Sequence, residues 1–500
     1  MLWVSCSLFH APMSAKASSL PFSFWVWNRA NPLTADERVR LHAAGVERLY
    51  WQVGELELRG TVLTFRRTVD FPFNEPVPNH VGPALNIIPV VRVSTSIHSP
   101  EQFSGEDFGR LLRPIVDTAP GREVQIDFDC PDRLLPIYAE RLRVARQSAD
   151  IHRLTITALA GWANVPASTP LWTAVDSVFP MLYDTEADPV PLANPSSHKV
   201  HGVSPCQPRP LLKPEELAAE LRSWVRCPVP WYAGLPAFAR VTLYDPDGRP
   251  RGHLRRWDWE DLVFNPALVL DRPSLAGTTV LRVTRPTRVG ESLVPTDRFV
   301  TWREAERSTL RTGIADAQAA GASGIILFRL PDPPTLTHST GGGWSLAQLL
   351  TLFNPSAPQE QTPALRLHKA EDGTERWVLR NDSEVDLPPR FAGSSRGYGL
   401  ELEIAGHATG WRDALPGDFY RVGSHLFTVA PGAAPTDVDQ PIPVAIPLAR
   451  RLTFWFAGLP AHGTLKTGLV QLAPGVDPKE VRFRLPASDH PETTPWQPSD

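Results

Sequence analysis

Eight apolar, β-rich runs alternate with helical patterns between Phe22 and about Phe353, and that alternation confines the chain to architectures built from parallel strand and helix units. The runs are Phe22–Trp27, Val46–Trp51, Ala84–Val93, Val124–Phe128, Leu154–Leu159, Ser177–Leu182, Val229–Ala233 and Gly324–Leu330. Helix signals fall between most of them. Thr34-Ala35-Asp36-Glu37 has the form of a capping box, Pro214–Val225 and Arg303–Ala320 carry helical periodicity, and Ser345 can cap Leu346–Phe353. A doubly wound sheet would normally bring a Gly-rich G-x-G-x-x-G turn, and none is present. The expected fold is therefore a (β/α)8 TIM barrel over residues 21–354.

Two departures from a plain barrel are legible. The stretch 238–295 is too long for one strand-to-helix connection and holds a turn signal, Asp245-Pro246-Asp247-Gly248, so it reads as a hairpin insertion over the barrel top. After the breaker-rich linker 355–364, short alternating runs from Leu365 to Leu485 show no convincing helix, and residues 365–490 read as an all-β sandwich domain. Proline, at 53 of 500 residues, is about twice average usage and agrees with many firm turns.

Composition excludes several functions. A net charge of −4 with 21% charged residues gives no basic excess for nucleic acid. The four cysteines, Cys6, Cys130, Cys206 and Cys227, form no C-x-x-C pair, although Cys206 and Cys227 could bond to each other. No H-E-x-x-H or P-loop pattern occurs, so neither a metal nor a cofactor is expected. Gly393-Ser394-Ser395-Arg396-Gly397 matches a nucleophile elbow only on paper, because no helix follows it. Residues 1–20 read as a candidate signal segment, with an apolar run Leu2–Phe9 and the small-x-small triplet Ala15-Lys16-Ala17 but no positive residue ahead of the run. The expected location is extracytoplasmic, periplasmic or secreted. Nothing in the rest of the chain is long and apolar enough for a transmembrane segment.

The fourth run carries the chemistry. In Gln125-Ile126-Asp127-Phe128-Asp129-Cys130-Pro131 the polar residues Gln125, Asp127 and Asp129 share one strand face, and Ile126 and Phe128 share the other. With the apolar face against the helices, the acids point into the barrel, Asp129 nearest the C-terminal rim. Unpaired carboxylates there cost several kcal/mol, and burial beside a second carboxylate raises the pKa of one of them, which equips it as a proton donor. The bland alternative is a pair neutralised by arginine or backbone donors, or a strand shifted so that both acids are exposed. Strand six ends Met181-Leu182-Tyr183-Asp184, placing a phenol and another carboxylate at the same rim. Aromatic residues also recur at strand ends, namely Trp27, Trp51, Trp162, Tyr183, Trp231 and Tyr232, and flat rings with a polar handle suit the faces of sugars. Asn28, Arg29, Arg92 and Arg329 occupy comparable positions and could hold hydroxyls or an acidic sugar.

These motifs resemble the family-18 glycoside hydrolases, the chitinases and related endoglycosidases. Gln125 to Pro131 is similar to their Asp-x-Asp-x-Glu-x-Pro signature, and Met181 to Asp184 to their Met-x-Tyr-Asp. As a whole the chain resembles a bacterial family designated domain of unknown function 3142, over about residues 22–485. The resemblance implies that Asp129 stands in the position of the general acid Glu and that Asp127 orients and tunes it. It also implies that Tyr183 and Asp184 hold the substrate acetamido group. Two residues depart from the pattern: Asp129 is one methylene shorter than Glu, and Gln125 stands where an inner Asp belongs. Asp129 and Asp184 could instead act as a pair of protein carboxylates.

The expected function is a glycoside hydrolase acting on a polysaccharide, with N-acetylhexosamine polymers among the candidates. Asp129, Asp127, Tyr183 and Asp184 are the catalytic set. Trp27, Trp51, Arg92, Gln125, Trp162, Trp231, Tyr232 and Arg329 bind substrate. The expected partner is carbohydrate, not nucleic acid. The alternative is a barrel that binds carbohydrate at the bacterial envelope without cleaving it.

Overall fold

The computed structural model describes residues 20–29, 31–69, 85–183, 210–275, 277–332, 343–354, 363–371, 376–391, 397–404, 411–414, 451–467, 470–472, 474–485 and 494–499. The candidate signal segment, Cys206 and most of the linker lie outside these residues.

The chain opens with strands β1 (Phe22–Val26), β2 (Arg48–Arg59), β3 (Val62–Arg67), β4 (Asn86–Val93), β5 (Glu123–Asp127), β6 (Arg153–Leu159), β7 (Ser177–Met181) and β8 (Tyr232–Pro236). An insertion follows with β9 (Ala239–Tyr244), β10 (Pro250–His253), β11 (Leu268–Leu275), β12 (Thr278–Val283), β13 (Thr287–Val289), β14 (Ser292–Val294) and β15 (Phe299–Glu304). Then comes β16 (Gly324–Phe328). Eight of these strands pair in parallel in the order β1-β16-β8-β7-β6-β5-β4-β2, and β1 pairs back onto β2, so the sheet closes into a TIM barrel. Helices Ala35–Ala43, Gly105–Val116, Leu135–Ser148, Pro214–Trp224 and Arg307–Ala319 cover it.

Strand alternation builds two cores. Val124, Ile126 and Phe128 of the β5 segment join the large apolar layer between barrel and helices. Trp25, Trp27, Tyr50, Ile88, Val90, Phe179 and Ile326 form a second cluster inside the barrel. The rings of Phe179 and Tyr232 stack 4.6 Å apart, with Tyr50 4.8 Å from Phe179. A plug of this size needs space on the opposing strands. A Cβ on Gly234 would lie 2.7 Å from the Pro180 carbonyl oxygen and 2.9 Å from the Trp25 ring, so only glycine fits there.

The local signals hold. Thr34 and Glu37 form the capping box, and Glu37 is also forked by Arg29 at 2.8 and 2.7 Å. Asp258 caps the helix Trp259–Val263. Asp245 accepts from the amides of Asp247 and Arg249, and Gly248, at φ 78°, takes the left-handed position of the β9–β10 turn. The insertion is larger than a hairpin. β10-β9-β15-β12-β11 form a five-stranded antiparallel sheet, and β15 lies beyond the expected end of the insertion. The seventh barrel strand also starts later than its apolar run: it covers Tyr232–Pro236, where Val229–Ala233 was expected.

A β domain follows. β17 (Leu365–Lys369), β18 (Trp377–Asn381), β19 (Tyr398–Ile404), β20 (Trp411–Ala414), β21 (Arg451–Phe456), β22 (Thr464–Lys466), β23 (Val470–Leu472), β24 (Val481–Arg484) and β25 (Gln497–Pro498) make the antiparallel sheets β17-β18-β22, β21-β19-β24-β25 and β20-β23. Leu367, Trp377 and Leu379 from one main sheet share a core with Leu400, Leu402, Phe454 and Phe483 from the other. Asp386 ties this domain to the barrel. Its carboxylate accepts from the amides of Ser345 and Ala461, and its own amide donates to Gln348 Oε1.

Gly234→Ala is expected to destabilise the chain by about 2 kcal/mol through overpacking against Trp25 and the Pro180 carbonyl. The urea midpoint measures this, and an unchanged midpoint would mean that the plug is loosely packed.

Candidate active site

β5 places Gln125 and Asp127 on its inward face. Gln125 is fully buried: its Oε1 accepts from Trp25 Nε1 at 2.7 Å and its Nε2 donates to Thr155 Oγ1 at 3.4 Å. One pleat higher, Asp127 ends the strand at the C-terminal rim, with its side chain 14% exposed. Thr157 Oγ1 donates to Asp127 Oδ1 at 2.7 Å, and Arg92 Nε stands 3.8 Å from Oδ2. Asp129, just past the strand end, opens to solvent.

The electrostatics separate the two acids. Burial, then the neighbouring Asp129 carboxylate, push Asp127 up to about 6, against the pull of the Thr157 hydroxyl and Arg92. Asp129 is raised as well: partial burial of its carboxyl against the rim outweighs the opposing attraction of Arg92. Tyr183 is raised well above the ordinary phenol range by burial and by Asp127, so its hydroxyl stays a neutral donor. Of the two acids, Asp127 is the one that burial and a neighbouring charge equip to keep a proton toward neutral pH.

An aromatic wall stands beside the acids. Phe328 at the end of β16 contacts Trp27 at 5.7 Å and Tyr183 at 5.9 Å, the latter nearly parallel. Phe238, which leads into the insertion, meets both Tyr183 and Phe328 edge-on. Arg240 of β9 lies over the Phe238 ring, 5.2 Å from its centroid. The insertion thereby reaches the mouth of the barrel.

The structure brings Asp127, Asp129, Tyr183, Trp27 and Arg92 together at this rim, and Asp184 lies outside the described residues. Other expected substrate binders go elsewhere. Trp51, Trp162 and Trp231 pack into the layer between barrel and helices, because Tyr50 and Tyr232 take the inward parity and Trp162 folds under a short turn. Tyr232 does face inward, but it is the first residue of β8 and so sits at the opposite end of the barrel from the acids. Gln125 supports Trp25 from a sealed position. Arg29 is buried in its ion pair with Glu37, away from any ligand. Arg329 donates to the Trp27 carbonyl at 2.9 Å and stands 3.4 Å from Asp332, so it braces the rim.

Several site residues escaped sequence reasoning: Thr157, Phe238, Phe328, Arg240 and Glu55. Glu55 lies on the extension of β2 beyond the barrel, where Arg92 Nη1 stands 3.6 Å from its Oε1. A signal for that extension was present. Gly60-Thr61 is a two-residue turn with glycine first, between residues paired as Arg59 and Val62.

No family model matches the chain, and no curated protein does, so both family likenesses described above remain resemblances. Solved structures similar to it include a chitinase from Chromobacterium violaceum ATCC 12472, at 14% identity and a TM-score of 0.38, covering 62% of this chain and 94% of that one. The spore cortex-lytic enzyme SleL of Bacillus megaterium QM B1551 is similar at 13% identity and a TM-score of 0.36, over 62% of this chain and 70% of that one. Chitinase ChiA74 from Bacillus thuringiensis is similar at 10% identity and a TM-score of 0.39, over 91% of this chain and 99% of that one. At such distances no activity follows from the likeness.

Because Asp127 titrates near 6 when folded and near 3.9 when unfolded, the folded chain holds this proton more tightly. Its contribution to stability is therefore complete below about pH 4 and lost as the pH rises through about 6. Asp127→Asn, which keeps the Thr157 hydrogen bond, is expected to exceed the native chain in stability by roughly 2 kcal/mol at pH 8 and to match it at about pH 3.5. Urea unfolding at the two pH values checks the sign; equal stabilities at pH 8 would contradict a strained Asp127.

Proposed function

We propose that this chain is a glycoside hydrolase of polysaccharides, in which Asp129 donates the proton to the departing glycosidic oxygen. The observation that carries this reading is the acid pair at the open end of the barrel. One member is buried and raised to about 6, and the other is reachable from solvent. A carboxyl group that keeps its proton near neutral pH is what glycosidic cleavage needs, because an alkoxide leaves only when protonated.

In this mechanism Asp127 works behind Asp129. A sugar stacked against Phe328 and Trp27 displaces water from the rim, and Asp129 loses its solvation. Loss of solvation favours the protonated form of Asp129, next to the bond to be broken, while Thr157 and Arg92 stabilise charge on Asp127. The neutral Tyr183 hydroxyl, on the aromatic side of the mouth, is available to an acyl oxygen or a developing charge on the sugar. An N-acetylhexosamine would offer such an oxygen. Asp184, the next residue, is the remaining candidate nucleophile or base. An extracytoplasmic location and a carbohydrate partner belong to the same proposal. Among the described residues no helix is long and apolar enough to cross a membrane.

A second reading has one observation in its favour: Asp129 supplies a shorter acid than the Glu of the motif it resembles. A carbohydrate-binding barrel without turnover would keep the aromatic wall and need no proton donor.

Purified protein incubated with chitooligosaccharides and bacterial exopolysaccharides is expected to release new reducing ends. Asp129→Asn should lower that rate by at least about a hundredfold while leaving glycan affinity within a few fold. Saturable binding without reducing ends favours the second reading, and full activity of the variant removes Asp129 from the mechanism. Because the acid site must hold a proton, the rate is expected to fall as pH rises through about 6, where Asp127 loses its own. A rate that climbs steadily from pH 5 to 8 would contradict the acid role.

A further inference from the structure

Four neighbouring strands place a row of alternating charge across the barrel wall. Arg66 of β3 is the direct partner of Glu55 in β2, Glu55 of Arg92 in β4, and Arg92 of Asp127 in β5. The side chains follow this register. Arg66 pairs with both Glu55 and Glu57, Arg92 stands 3.6 Å from Glu55 and 3.8 Å from Asp127, and Thr157 of β6 closes the row on the other Asp127 oxygen.

We propose that Arg92 is a positioning residue: flanked by Glu55 of the β2 extension, it sets a positive charge beside the Asp127 carboxylate and makes the β2–β3 hairpin part of the acid machinery. Its guanidinium lies between two carboxylates and is one third exposed, at 33%. Both separations exceed hydrogen-bond length, so Arg92 acts on Asp127 chiefly as a nearby positive charge. The groups facing Asp127 are Asp129 beyond its own strand, Arg92 on β4, Glu55 on β2, Thr157 on β6, Tyr183 after β7 and Tyr138 on the helix Leu135–Ser148. Arg92 is the cation of this set. It opposes burial and the Asp129 charge at Asp127, and it opposes burial at Asp129 too. Without it Asp127 would hold its proton to higher pH.

The catalytic consequence rests on the glycosidase reading; the electrostatic role does not. The test therefore has two arms. Carboxyl carbon NMR of the full chain, with the Asp127 signal assigned by its loss in Asp127→Asn, gives the titration midpoint directly. Arg92→Gln is expected to raise that midpoint by about one pH unit, and Arg92→Lys to return most of the shift. Near-ultraviolet circular dichroism verifies folding, and where the Gln variant does not fold Arg92→Met, equally uncharged, decides the matter by showing or failing to show the same rise. In kinetics, Arg92→Gln should lower kcat about tenfold or more and move the pH limb with the midpoint, leaving KM within about twofold. A midpoint unmoved in Arg92→Gln overturns the proposal. So does a raised KM with kcat and midpoint unchanged, which would make Arg92 a substrate contact. If no glycan is cleaved, the glycosidase reading fails and the NMR arm still decides the role of Arg92.

Discussion

The Trp25 indole reaches across the barrel interior to Gln125, and the 2.7 Å bond between them sets the level at which the barrel stops being dry. Below that level large rings fill the space so completely that Gly234 must be glycine. Above it the same strands carry Asp127, Thr157 and Arg92. The acid pair thus stands on a solid apolar floor, with water on one side only. That position, half in protein and half at the mouth, is what lifts Asp127 toward neutrality without trapping it in the core.

The Gln125 amide also has an electrostatic meaning. The glycosidase motif it resembles would put a third carboxylate at this depth, where nothing could solvate it and Trp25 Nε1 and Thr155 would be its nearest partners. A neutral amide satisfies the same indole without charge. The tuning of the pair must then come from elsewhere, and the structure offers the side: Arg92, steadied by Glu55. A cation beside the acids takes the place of an anion beneath them. The two arrangements pull the pair in opposite directions.

Much of this was legible beforehand. The alternation in Val124–Asp127 predicted which strand residues face inward, whereas Asp129, expected on the same face, lies past the strand end and is exposed; the barrel follows from eight runs of apolar residues. The aromatic rim was less legible, because inward or outward depends on parity and on where each strand begins. Tyr50 and Trp51 are equally apolar, and only the closed sheet decides that Tyr50 goes inside. At the seventh strand the true start falls three residues later than the apolar run, which carries Tyr232 to the far end of the barrel. The extent of the insertion was hidden for another reason. β9 pairs with β15, so Arg240 faces Arg303 across 62 intervening positions, and no local pattern announces that partnership. Glu55 was missed because a charged strand extension resembles any exposed hairpin until its neighbours are known.

The insertion shares its apolar core with the β domain. Phe391 and Ala457 belong to the same cluster as Trp257, Trp259 and Trp302, Phe391 lies 5.5 Å from Trp302, and a Cβ on Gly458 would strike the Trp259 ring. The tail is consequently no detachable module strung on a tether. Grafting it onto another barrel, or trading it for a different accessory unit, would strip the cover from three indoles and loosen the segment that delivers Phe238 to the mouth.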